Sequence, residues 1–222
     1  TMMHRFIIAH RQLVAVAYQS PTIIINKKQV TTALINNKRR WWSKDAKLDT
    51  VYYRKEIDKL IKSNQKGASK KAEQLLAELE TRSEKSEEYH LKPDIVVYNM
   101  VLNALAKSDE SDAPQRAESI LHNILLRYEN KEHDLQPDTV SFTSVIDAWA
   151  RSSDERGPER AELILRKMIE LYKLGFSNLK PNIITYNSVI NAWAKSNLKQ
   201  SASHAQQLLH ELEQHYKNGE TD

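Results

Sequence analysis

The side chains in this sequence that could do chemistry recur at fixed intervals instead of clustering. Lys62, Lys107, Arg151 and Lys195 form one such set, spaced by 45, 44 and 44 residues. A cation returning at one place in a repeat can meet phosphates, the sequence-independent part of nucleic-acid affinity. Asp94, Asp138 and Asn182 form a second set, each directly after a proline. Both sets also have a purely structural reading. Asp and Asn suit helix N-caps, and cations near helix C-termini suit the helix dipole. Other constellations are weak. There is no cysteine, which excludes a disulfide framework and a thiolate zinc site and fits a reducing compartment. Ser108–Asp112 holds carboxylates without the spacing of a calcium loop. His90 and His133 stand in inter-repeat loops with no metal-binding cluster around them. No Asp-rich metal cluster or nucleophile elbow follows residue 200, so the chain reads as non-catalytic and without a cofactor.

The elements that position these residues are repeats. Lys92-Pro93-Asp94-Ile95-Val96-Val97-Tyr98-Asn99 returns as Gln136 to Thr143 and again as Lys180 to Asn187, with 44 residues between successive prolines. An older copy runs from Lys47 to Tyr53, with Leu48 in place of proline. The second half repeats too: Ala72-Glu73, Ala117-Glu118, Ala161-Glu162 and Ala205-Gln206 each begin 19 residues after the Tyr or Phe. A constant period in this range means stacked supersecondary units. Four are expected, at about 48–92, 93–136, 137–180 and 181–222, the last incomplete.

Each unit reads as a helix pair. Ile95, Tyr98, Val101, Leu102 and Leu105 make one apolar stripe at helical spacing. Pro114 and Pro158 open the second helix at its first turn, where a missing N–H costs nothing. Such a pair buries only one face alone, so neighbours must stack. The expected fold is all-α: a right-handed α-solenoid of helix-turn-helix repeats over residues 45–222. Trp149 and Trp193 occupy one repeated site and read as inter-repeat core.

Charge divides the chain. Residues 1–44 carry eight Lys or Arg and no Asp or Glu, whereas the rest carries 25 basic and 29 acidic residues. The net +4 therefore belongs to the leader. An acid-free basic start with short apolar runs is expected to be a cleaved transit peptide, unfolded before about residue 45. A basic, aromatic RNA-touching arm around Arg39-Arg40-Trp41-Trp42 and a non-native start are the alternatives. The Phe6–Ala17 run is interrupted by His10-Arg11-Gln12 and cannot span a bilayer.

Pro181-Asn182-Ile183-Ile184-Thr185-Tyr186-Asn187 through Ala194-Lys195-Ser196, with its two earlier copies and the Ala-x-x-Leu-Leu that follows, resembles the pentatricopeptide repeat. The usual unit of that family has about 35 residues. Here three more stand between the helices and six after the second. The resemblance implies single-stranded RNA as the ligand, with one base read per repeat by two or three side chains. Carried over, the base-selecting pairs are Asn99 with Asp138 and Thr143 with Asn182. Arg54 with Asp94 matches no standard combination, and Asn187 stands without a partner. Val96, Val140 and Ile184 match the position whose aliphatic side chain sandwiches a base, and the basic row would contact phosphates. Uracil and guanine present an imino N–H that Asp138 can accept; adenine and cytosine present a bare ring nitrogen that needs the amide donor of Asn182. The implied core is uracil, adenine, pyrimidine, running 5′ to 3′ with the chain. The implied setting is RNA processing, stability or translation in an organelle, the mitochondrion or alternatively the chloroplast. Other organellar RNA-processing proteins would be partners. A protein-binding scaffold and the targeting part of a larger RNA-processing enzyme are the competing functions.

Overall fold

The computed structural model describes residues 49–217, apart from residue 64, residues 87–90 and residues 133–134. The basic leader, His90 and His133 lie outside these. Eight α-helices follow in order: α1 Thr50–Ser63, α2 Ala68–Ser86, α3 Ile95–Ala106, α4 Ala113–Glu129, α5 Thr139–Arg151, α6 Gly157–Lys173, α7 Ile183–Lys195 and α8 Ser201–Lys217. A short 3-10 turn, Ser177–Leu179, precedes α7, and no strand occurs among the described residues. No helix of these is long and apolar enough to cross a membrane.

Each odd helix begins at the same repeated letter. Asp49, Asp94, Asp138 and Asn182 each accept the backbone N–H three residues on, at 2.8, 3.2, 2.8 and 3.0 Å. A side-chain oxygen there satisfies one of the otherwise orphaned N–H groups of the first turn. Pro114 and Pro158 lie in the first turns of α4 and α6.

Stacking follows from which faces are apolar. The odd helices form one row, each packed on the next; every even helix rests on its own odd helix, and α2, α4 and α6 also rest on the following one. The chain is therefore a two-layer helical solenoid with one continuous core. Tyr53, Tyr98, Phe142 and Tyr186 are all buried in it. The expected stripe on α3 is in fact broader. Val97, Ala104 and Ala106 are buried as well, because α3 touches α1, α2, α4 and α5 and has little surface left for water. Leu91, Leu135 and Leu179, two residues before each proline, plug the joints between units.

Polar rungs tie the outer helices together. The Trp149 indole donates to Glu118 at 2.9 Å, and the Trp193 indole to Glu162 at 2.8 Å. Arg160 pairs with Glu118 and lies over the Trp149 ring at 5.8 Å. In the next unit His204 takes the arginine's place, stacked on Trp193 at 4.2 Å with Nδ1 3.0 Å from Glu162. Leu105 takes the place of the indole in the second unit, and there Arg116 bridges Glu73 at 2.7 Å and also Glu110. Burial and the Glu80 carboxylate push the Tyr98 phenol well above its ordinary pKa, so it remains a donor to Glu80.

The ends of α4 and α6 use one motif with different residues. At α6 the Phe176 N–H reaches Leu171 O at 3.1 Å and the Gly175 N–H reaches Tyr172 O at 3.0 Å, with Gly175 at φ 101°. At α4 the same two bonds form around Lys131, at φ 69°. A side chain in the left-handed region is strained where glycine is not. Lys131→Gly is expected to stabilise the protein by about 1 kcal/mol. A rise in the urea midpoint with an unchanged slope checks this; an unchanged or lower midpoint contradicts it.

Candidate nucleic-acid interface

The four N-caps place a polar side chain at the start of every odd helix, and the residue five places further on sits one turn along. Stacking of odd helices then brings one unit's turn against the next unit's cap. Arg54 forms an ion pair with Asp94, whose carboxylate also caps α3. The Asn99 amide donates to both Asp138 oxygens, at 3.0 and 3.1 Å. Thr143 and Asn182 share no direct hydrogen bond. The Thr143 hydroxyl lies 2.9 Å from that of Thr185, which in turn donates to Asn182 Oδ1 at 2.9 Å. Asn187 is exposed at the outer end of this series.

These pairs differ in what they leave free. In the first, a guanidinium occupies the carboxylate. In the second, Asp138 Oδ1 also accepts the Ser141 N–H at 2.8 Å, yet a carboxylate has about four lone-pair sites and retains capacity for another donor. In the third, only Oδ1 of Asn182 is engaged, and its amino group makes no hydrogen bond among the described residues.

Aliphatic side chains flank the same positions. Val96, Val140 and Ile184 are exposed at 46, 54 and 61%. Val51, one period earlier, is exposed to the same degree and completes the row; the constant offset in the sequence was the signal for it. Large aliphatics left in water at one repeated site are unpartnered, whereas their neighbours at Val97 and Tyr98 are buried. Val140, Thr143, Asn182 and Ile184 share one open groove of about 290 Å³ between α5 and α7. Asn187 and Ile184 share the next, of about 250 Å³, with Arg151.

The basic row divides in two. Lys62 is paired with Asp58 at 2.6 Å and Arg151 with Asp147 at 3.6 Å, each one turn back on its own helix. At that earlier position the other two units carry Asn103 and Asn191. Lys107 and Lys195 are exposed, with no acid in ion-pair range among the described residues. Two positions thus present a net positive charge and two do not. No group of three or more His, Cys, Asp or Glu able to hold a metal ion occurs among the described residues.

Ser141 and Thr185 are the site residues that the repeated letters did not single out. Each is fully buried and hydrogen-bonded to a candidate base-selecting side chain. Val97 holds the same place in α3, so the hydroxyl is not a constant of the repeat and left no signal.

Comparison with known proteins agrees with this geometry over part of the chain. Residues 125–196, from α4 to the turn after α7, match a family described as the pentatricopeptide repeat domain. No curated protein and no solved structure matches the chain.

Proposed function

We propose, for a chain that carries pentatricopeptide repeats at residues 125–196 and is in general terms an RNA-binding repeat protein, sequence-selective binding of single-stranded RNA along the row of odd helices. One observation carries the reading: Val140 and Ile184 flank Thr143 and Asn182 in a single open groove. A planar base fits between two aliphatic side chains while its edge meets the polar pair. Thr143 with Asn182 reads adenine. Asn99 with Asp138 reads uracil one unit earlier, and Asn187 reads a pyrimidine one unit later. The Arg54–Asp94 ion pair supports starting at the second unit, since its carboxylate is already engaged.

Three bases at about 1–3 kcal/mol each give weak binding alone, so further repeats or a partner protein complete the footprint. The protein covers or presents a transcript in an organelle, the mitochondrion by the acid-free basic leader, and performs no catalysis itself. Selection from randomised single-stranded RNA at fixed salt tests this. Enrichment of uracil–adenine–pyrimidine is expected; binding of protein ligands with no RNA preference would favour a scaffold instead.

The divided basic row makes a second prediction. Replacing Lys107 and Lys195 with alanine removes two phosphate contacts, so the slope of log K against log salt falls by about 1.4. The matched Lys62 and Arg151 double variant changes it less, because those charges are already offset. Equal slopes in the two variants would remove the distinction.

A further inference from the structure

Ser141 and Thr185 are the third residues of α5 and α7, and both side chains are fully buried. A buried hydroxyl must find partners, and these find theirs on the candidate base-selecting side chains. At Asn182 the capping atom has to be the amide oxygen, because the Thr185 N–H at 3.0 Å needs an acceptor. This turns the Asn182 amino group away from the cap. The same oxygen accepts the Thr185 hydroxyl at 2.9 Å. A hydroxyl has one proton, so the 2.9 Å contact between Thr143 and Thr185 runs from Thr143 to Thr185. Thr143 is left with lone pairs towards the groove, beside a donor from Asn182. Acceptor beside donor is the complement of the adenine Watson–Crick edge, with its exocyclic amino group and bare ring nitrogen.

The same position acts on a different pair in α5. Ser141 Oγ donates to Asn99 Oδ1 at 2.7 Å, with Asp138 Oδ1 at 2.9 Å. That holds the Asn99 oxygen inward and its amino group against the Asp138 carboxylate. In α3 the position is Val97, and Arg54 and Asp94 there join directly.

We infer that Ser141 and Thr185 are positioning residues for base selection: each buried hydroxyl orients one candidate base-selecting pair and so decides which donors and acceptors a base meets. The inference rests on the RNA reading above. Thr185→Val tests it in the full chain, and Val97 shows that the fold accepts valine at this place. RNAs differing only at the base facing Thr143 and Asn182 are compared at fixed salt. Adenine preference is expected to fall about tenfold, the equivalent of one hydrogen bond, with the uracil preference one unit earlier unchanged and Thr185→Ser restoring adenine. Ser141→Ala is expected to do the converse, weakening uracil selection and sparing adenine. Full adenine preference in Thr185→Val, or full uracil preference in Ser141→Ala, overturns the inference. Asn182→Asp in the same assay separates the two levels. If that swap moves the preference and Thr185→Val does not, the hydroxyl has no positioning role; if neither moves it, the base reading itself fails.

Discussion

Trp149→Ala removes about 3–5 kcal/mol of stability, out of the 5–15 kcal/mol that holds an ordinary domain together. The indole is 2% exposed, so its deletion opens a large cavity in the core between stacked units. It also breaks the 2.9 Å bond to Glu118 and takes away the ring beneath Arg160. Glu118 keeps Arg160 as a partner, so no bare buried charge adds to the loss. Leu105, itself buried, stands at this place one unit earlier, so the repeat keeps a large apolar side chain where alanine would leave a gap. Urea unfolding of the full chain reads the effect. Because each unit touches only its neighbours, a broadened transition is also expected as cooperativity across the joint weakens. A loss below about 1 kcal/mol, the range of an ordinary surface change, would show that the rung is not a core element.

Asn182→Asp shifts the base preference from adenine towards guanine, by about 1–3 kcal/mol of discrimination, or roughly tenfold to a hundredfold. The fold should not notice. Asp94 and Asp138 cap α3 and α5 at the same place, and a carboxylate accepts the Thr185 N–H as well as an amide oxygen does. What changes is the groove edge, where the amide donor gives way to an acceptor. Adenine then sets a bare ring nitrogen against a carboxylate, whereas guanine offers an imino N–H to it. Titration of RNAs differing at that one base, with melting temperature as the control for folding, gives the result. An unchanged adenine preference in a fully folded variant would sink the assignment of Asn182 to base selection.

Most of the architecture was legible because its causes are local. A cap reaches three residues ahead, a proline sets its own φ, and an apolar stripe is read within one helix. The buried face of α3 is broader than its own periodicity predicts, because periodicity within one helix does not report how many neighbours surround it. The basic row looked uniform, although Asp58 and Asp147, one turn before Lys62 and Arg151, were visible in the same lines. Opposite charges at that spacing lie side by side on a helix, so that division needed no coordinates.

The sequence by itself determined the period, the helix starts and which side chains stand at equivalent places. Only the tertiary structure decided which of them meet. Asn99 reaches Asp138 across 39 residues, Trp149 reaches Glu118 across 31, and Thr143 reaches Thr185 across 42. These contacts depend on how far each unit rises and turns on the last, which is set by packing between helices and not by any residue's own preference. A fraction of an ångström in that stacking separates a hydrogen bond from a gap. Hence the repeated letters could nominate Thr143 and Asn182 as a pair, while the hydroxyl between them emerged only once α5 and α7 were laid side by side.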